Sequence, residues 1–133
     1  GDIICTATTS SKPVFEDVDL KPGTHISAIG AYMPEMQEIP VETVARARIV
    51  VDSNATVMAE AGDIVQAIQA GVIHELDIYA ELGEIVLGKK SGRQSDDEIT
   101  FFKSVGNAVQ DAVAAQLALQ NARRMNLGTE VDF

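Results

Sequence analysis

At 133 residues, 46% hydrophobic and 23% charged, the chain is long enough for one domain with a real core and has an ordinary globular composition. A net charge of −10 argues against nucleic acid and anionic membrane as partners, since both call for a basic face. One cysteine, Cys5, excludes an intrachain disulfide and suits a reducing compartment, and no apolar run or basic-then-apolar start suggests a membrane span or a signal segment. The expectation is a cytoplasmic chain with an aliphatic core, since aromatics are only 5%.

The chain opens on a short β-rich apolar run, Ile3–Thr6, that ends in the polar loop Thr6-Ala-Thr-Thr-Ser-Ser11. A helical turn is predicted across Phe15–Leu20 and a tight turn at Lys21-Pro-Gly-Thr24. His25–Ile29 reads as a second strand closed by Gly30, followed by an irregular stretch, Ala31–Ile39. Pro40 suits the first turn of a helix whose apolar face is Val41, Val44 and Ala45. Arg48–Val51 is a third strand, stopped by Asp52-Ser-Asn54. Two helices, Ala55–Glu60 and Asp63–Ala70, are split at Gly62, and Leu76–Leu87 is predicted helical. Ile99–Lys103 is the fourth strand, Ser104-Val-Gly-Asn107 a strand-to-helix junction, and Val109–Met125 the longest helix.

Strands alternating with helices through short connections predict an α/β fold with a parallel sheet. Ligands of such sheets sit outside the carboxyl ends of the strands. That singles out Thr6–Ser10, Gly30–Tyr32, Asp52–Asn54 and Ser104–Asn107. The first loop offers hydroxyls and backbone N–H groups suited to a ribose or nicotinamide, or is simply a turn. At the last, Gly106 allows close backbone approach and a helix N-terminus follows, or the segment is only a capped helix start.

Other motifs read as structural. Gly83-Glu-Ile-Val-Leu-Gly-Lys-Lys90 fails as a phosphate loop, because Lys90 stands where Ser or Thr should bind magnesium. Glu81 with Glu84, and Asp96-Asp-Glu98, read as solvated carboxylates. His25 and His74 have no second His or Cys at ligand spacing, so no metal site is expected. Cys5, within an apolar strand, is expected to be a core thiol.

No G-x-G occurs anywhere in the chain, which is unusual for an architecture of this kind. At Ile26-Ser-Ala-Ile-Gly-Ala31 and Pro34-Glu-Met-Gln-Glu38 the chain resembles the ornithine cyclodeaminase/mu-crystallin family, which includes alanine dehydrogenases of archaeal type and ketimine reductases. The supporting stretches are Asp2-Ile-Ile-Cys-Thr-Ala-Thr8, Lys21-Pro-Gly-Thr-His-Ile26, Ile49-Val-Val-Asp52, Glu81-Leu-Gly-Glu-Ile85, Gly92–Thr100 and Phe102-Lys-Ser-Val-Gly106 with Gln110-Asp111. They run in the family's order over nearly the whole chain.

The resemblance implies a Rossmann-like half-domain: residues 1–133 as the C-terminal part of an NAD(P)-binding domain without its glycine-rich turn, with a C-terminal helix over about 107–126. It implies a longer parent that uses NAD or NADP on a small amino or imino acid and forms a homodimer. By the same resemblance Thr6, Ala7 and Thr8 line the cofactor ribose region. Ala28, Ile29 and Gly30 lie beside the nicotinamide, and Ser104, Val105 and Gly106 near the carboxamide and substrate. The cyclodeaminases carry a catalytic Asp where this chain has Tyr32. A phenol, with a pKa of about 10, does not replace a carboxylate base near neutral pH. That argues against ornithine cyclisation and leaves imine reduction or amino-acid oxidation. The competing expectations are a non-catalytic binding or assembly module of mu-crystallin type and a truncated product with no role of its own. The chain alone is expected to be inactive, because the glycine turn for the pyrophosphate is absent from it.

Overall fold

The computed structural model describes residues 1–129 and 131. Five strands, β1 (Ile3–Thr6), β2 (His25–Ala28), β3 (Arg48–Val51), β4 (Ile78–Glu81) and β5 (Thr100–Lys103), form one parallel sheet in the order β1-β2-β5-β3-β4. Every strand therefore ends at the same edge, and the last strand inserts between β2 and β3. Register lines up Ile4, Ile26, Phe101, Ile49 and Ile78 as one row across all five strands. A step nearer the carboxyl ends, Thr6, Ala28, Lys103 and Val51 form a second row on the same face.

That face is the core. Helices α1 (Val41–Arg46), α2 (Asn54–Glu60) and α3 (Gly62–Gln69) cover it with Val44, Val57, Ala61, Ile64 and Ala67, which pack with Ile26, Ile49 and Phe101. Complete burial of an aliphatic or Phe side chain contributes about 1.5–3 kcal/mol, so this cluster is the main source of stability. Pro40 precedes α1 and offers its carbonyl to Val44 N–H at 3.1 Å, as its fixed φ allows.

The opposite face is largely open. Ile3 is 68% exposed, Cys5 is exposed, and Phe102 and Ser27 are half-buried. Cys5 is thus not a core thiol: β1 is an edge strand, and alternation turns Cys5 to the uncovered side. Helix α4 (Leu82–Val86) and the loop after it cover the β3–β4 end of this face, leaving a groove of about 520 Å³ lined by Ile3, His25, Arg48, Leu82 and Phe102 among others.

The segment expected to be one helix over Leu76–Leu87 is instead a 3-10 turn at Glu75–Asp77, then β4, then α4. Ile78 and Ala80 are buried while Tyr79 and Glu81 are half-buried, a period of two over four residues. Glu81 and Glu84 are not merely solvated: they form a capping box at α4, with Glu81 N–H donating to Glu84 at 3.0 Å. The last helix, α5 (Ala108–Met125), starts on Asn107, whose side chain accepts from Val109 N–H, and ends at Asn126 in the left-handed region. None of its residues is buried, and Val109, Val113, Leu117 and Leu119 are all exposed. No helix among the described residues is long and apolar enough to cross a membrane.

Asp17 staples the β1–β2 connection to α1: its Oδ1 accepts from Thr43 Oγ1 at 2.6 Å and from Arg46 Nε at 2.8 Å. Burial pushes this carboxyl up, but the Thr43 bond, the Arg46 bond and the Arg46 charge together hold it below its usual range. The unfolded chain therefore takes up this proton first as pH falls, so the staple contributes fully above about pH 4 and is lost as pH drops through the lower folded value. Asp17→Asn is expected to lower the urea midpoint at pH 7, with the gap from wild type shrinking by pH 3. An equal gap at both pH values would remove this account.

Candidate active site

Because the strands are parallel, the loops after β1, β2, β5 and β3 stand side by side along one edge. Backbone bonds lock their bases together. Ile29 N–H donates to Thr6 O at 2.9 Å, Ser104 N–H to Ala28 O at 3.1 Å, and Asp52 N–H to Lys103 O at 3.2 Å. Residues singled out at this edge are thereby brought together: Thr6–Thr8, Ala28–Tyr32 and Ser104–Gly106, with Asp52 beside them. They are not equivalent. Thr6, Ala28, Gly30 and Ser104 are buried, whereas Ala7, Thr8, Ile29, Tyr32 and Gly106 form the exposed surface, with Val105 between. Tyr32 is 45% exposed.

Asp52 organises the β3 and β5 ends. Its Oδ2 accepts from the Ser104 hydroxyl at 2.6 Å and from Gly106 N–H at 3.2 Å, and its Oδ1 from Ser53 N–H at 2.8 Å. Gly106 N–H also reaches Ser104 Oγ at 3.1 Å. The Ser104 hydroxyl has given its one proton to Asp52, so toward a ligand it is an acceptor. Gly106 has φ +92° with open space where a Cβ would sit, so backbone is accessible there.

Beneath the surface lies a group of three buried charges. Lys103 replaces an aliphatic residue in the second core row, and its side chain, like those of Asp63 and Glu38, is fully buried. Its ammonium donates to the carbonyl of Gly30 and lies 3.2 Å from Asp63 Oδ2. That second contact is an ion pair out of hydrogen-bond alignment, since Oδ2 has no aligned donor. Asp63 Oδ1 accepts from the backbone N–H groups of Glu38 at 2.7 Å and Ile39 at 2.9 Å. Burial pushes the Asp63 carboxyl above its usual range, against Lys103 and those two N–H groups. Glu38 in turn accepts from the Thr6 hydroxyl at 2.9 Å and from Thr8 N–H.

Asp52 lay within a strand end flagged above, but Lys103, Asp63 and Glu38 were missed. For Lys103 one signal existed: two residues on from Phe101 in a strand, it must share the face of Phe101. Among the described residues no group of His, Cys, Asp and Glu is arranged to hold a metal ion.

The sheet order, its helices and a ligand-accessible edge at the strand ends define a Rossmann-like α/β architecture. The chain matches the ornithine cyclodeaminase/mu-crystallin family over residues 1–126 and belongs to it. It is 43% identical over 134 residues to the Delta(1)-pyrroline-2-carboxylate reductase of Bacillus cereus, an alignment spanning 100% of this chain and 41% of that protein. The structure of the Thermococcus litoralis Delta(1)-pyrroline-2-carboxylate reductase in complex with NADH and L-proline superimposes with a TM-score of 0.89 at 44% identity, over 97% of this chain and 40% of that one. An archaeal alanine dehydrogenase dimer with bound NAD gives 0.86 at 42% identity, over 99% and 41%. The chain thus spans about 41% of the length of the first curated relatives it matches.

Gly30 sits where these loops are tightest. A Cβ there would overlap the Thr8 carbonyl and the Glu38 carboxylate. Gly30→Ala is expected to destabilise the fold by about 1–3 kcal/mol, the usual range for overpacking. A chemical melt reads this, and an unchanged midpoint would show that the two loops are not in contact.

Proposed function

We propose that this chain is the nicotinamide-side part of an NAD(P)-dependent imine reductase or amino-acid dehydrogenase acting on a small amino or imino acid. The observation that carries it is the strand-end surface, with its loops braced from below by buried charges, in a chain 44% identical to a reductase structure holding NADH and L-proline. A nicotinamide, when bound, supplies or takes up the hydride exchanged with the carbon next to the amino or imino nitrogen.

The residues present fit that half of a dinucleotide. Ser104 offers an acceptor suited to a carboxamide NH₂. The Thr8 hydroxyl accepts from Ser10 N–H at 3.2 Å and retains its own proton for a ribose oxygen. Exposed Ile29 offers an apolar surface to a planar ring, and the open backbone at Gly106 lets a ligand approach. Nothing in the 133 residues provides the glycine turn for the pyrophosphate, so this reading places that contact, and turnover, in a longer polypeptide.

Tyr32 favours one second reading. It presents a half-exposed phenol where a cyclodeaminase of this family would carry its catalytic carboxylate. A non-catalytic ligand-binding module of mu-crystallin type would tolerate that change. Turnover separates the two.

Titration with NADH and NADPH, followed by nicotinamide fluorescence, tests the proposal. The protein at the length of its relatives is expected to bind one of them saturably and to reduce a cyclic imino acid or aminate pyruvate. The 133-residue chain is expected to do neither. Binding without turnover on either substrate class would favour the module, and no binding by the longer protein would end both readings.

A further inference from the structure

We propose that Lys103 and Asp63 are positioning residues: their buried ion pair sets the path of Gly30–Tyr32 and so the surface that the strand ends present to a ligand. The kinetic part of this proposal rests on the nicotinamide reading above; the structural part does not.

An ammonium in a core row is unfavourable unless its partners are well placed, and an aliphatic residue would fill the same volume without that penalty. Here the ammonium reaches the carbonyl of Gly30, two residues past the end of β2. Its partner Asp63, in the first turn of α3, holds the N–H groups of Glu38 and Ile39. One ion pair therefore clasps residues 30–39 at both ends. Between the clasps, Ala31 has φ +45°, a left-handed conformation that a non-glycine residue keeps only where its surroundings over-determine it. Its carbonyl accepts from Gly62 N–H at 2.9 Å, at the start of the same helix that carries Asp63. Gly62 has no room for a Cβ against the carbonyls of Met33 and Met36, so α3 is wedged directly against the segment. Gln66, one turn further along α3, donates to the carbonyls of Pro34 and Met36, both at 2.9 Å.

Tyr32 follows the left-handed residue and lies inside this frame while its own side chain is half-exposed. Glu38, between the clasps and β1, carries the same constraint to Thr8 through the Thr8 N–H. The buried pair thus ties together two of the three loops assigned to the nicotinamide side, alongside the Gly62 and Gln66 contacts and without touching a ligand itself.

The test uses the paired substitution Asp63→Asn with Lys103→Met in the protein at the length of its relatives. An amide at position 63 keeps the oxygen that accepts from Glu38 and Ile39, and neither member of the pair is left facing a missing partner, while Glu38 retains its bonds from Thr6 and Thr8. The variant is expected to unfold cooperatively, and amide exchange at Met36 and Gly62, whose N–H groups donate to the carbonyls of Met33 and Ala31, to quicken by about ten-fold or more in the ligand-free protein while the sheet stays protected. With substrate, kcat is expected to fall by roughly ten- to a hundred-fold, as misplacement by about an ångström does. KM for the amino or imino acid should change little, and the isotope effect with nicotinamide deuterated at C4 should rise as hydride transfer becomes limiting. Should the double variant not fold, Lys103→Met alone carries the same measurements, since the Asp63 carboxyl, already pushed upward by burial, can take up a proton rather than remain a stranded charge. Unchanged exchange at Met36 and Gly62 overturns the proposal, as does faster exchange accompanied by an unchanged kcat and isotope effect. If the wild-type protein binds no nicotinamide cofactor, the functional reading fails, and the exchange result alone then decides whether the pair positions the loop.

Discussion

The ammonium of Lys103 inside the second core row constrains the β1 and β2 side of the sheet's carboxyl edge. A buried charge must be met by fixed partners, because water is not there to solvate it. Those partners are a backbone carbonyl and one carboxylate, and the carboxylate is committed to two backbone N–H groups of a neighbouring segment. Breaking such a pair by removing one member costs about 3–5 kcal/mol, since the other charge is left stranded. Asp63, with its carboxyl pushed above the usual range by burial, is the member closest to that limit. The irregular stretch after β2 has no strand's hydrogen-bond ladder, and these contacts with Lys103 and α3 take its place.

Parallel register turns this local constraint into a surface. The insertion of β5 between β2 and β3 places Ser104 beside Ala28 on one side and its hydroxyl within reach of Asp52 on the other. Three loops far apart in sequence become adjacent because each leaves the sheet at the same height. The covered face supplies rigidity through Ile26, Phe101, Ile49 and the helices above them. The opposite face and the β1 edge remain open, and so does the apolar side of α5, which is a large uncovered area for a chain of this size.

Much of this was legible in the residues. Ile3–Thr6 and Arg48–Val51 have the predicted bounds, whereas β2 ends at Ala28, one residue before the expected Ile29, and the two helices part at Ala61, with Gly62 opening α3 rather than separating them. β4 was not legible, for a definite reason. Leu76, Tyr79, Ala80 and Gly83 fall at helical spacing, yet Leu76 is 94% exposed and serves no core. The true period of two extends over only four residues before α4 restores a helical one, too short a run for alternation to show. Cys5 was misjudged because an apolar run reads as buried on both sides, the usual state of a parallel strand, whereas β1 lies at an edge. Lys103, Asp63 and Glu38 were overlooked because charged residues are ordinarily solvated; only the strand alternation at Phe101 and Lys103 betrays one of them.

The hydrogen-bond inventory at the edge narrows what the surface can recognise. The Gly30 carbonyl is taken by Lys103, the Thr8 N–H by Glu38, and the Gly106 N–H by Asp52 and Ser104. These backbone groups would be the obvious contacts for a ligand, yet each already serves the internal frame. The groups that still face outward include a hydroxyl proton at Thr8, the apolar flank of Ile29 and the phenol of Tyr32, with the Ser104 oxygen buried just behind them. That set carries no formal charge. On the nicotinamide reading proposed above, a flat ring and a hydroxylated sugar suit these neutral groups better than an anion does. On that reading, recognition of a substrate carboxylate or of a pyrophosphate falls to cationic or amide groups beyond this set, which fits an edge that forms one wall of a site rather than a whole one.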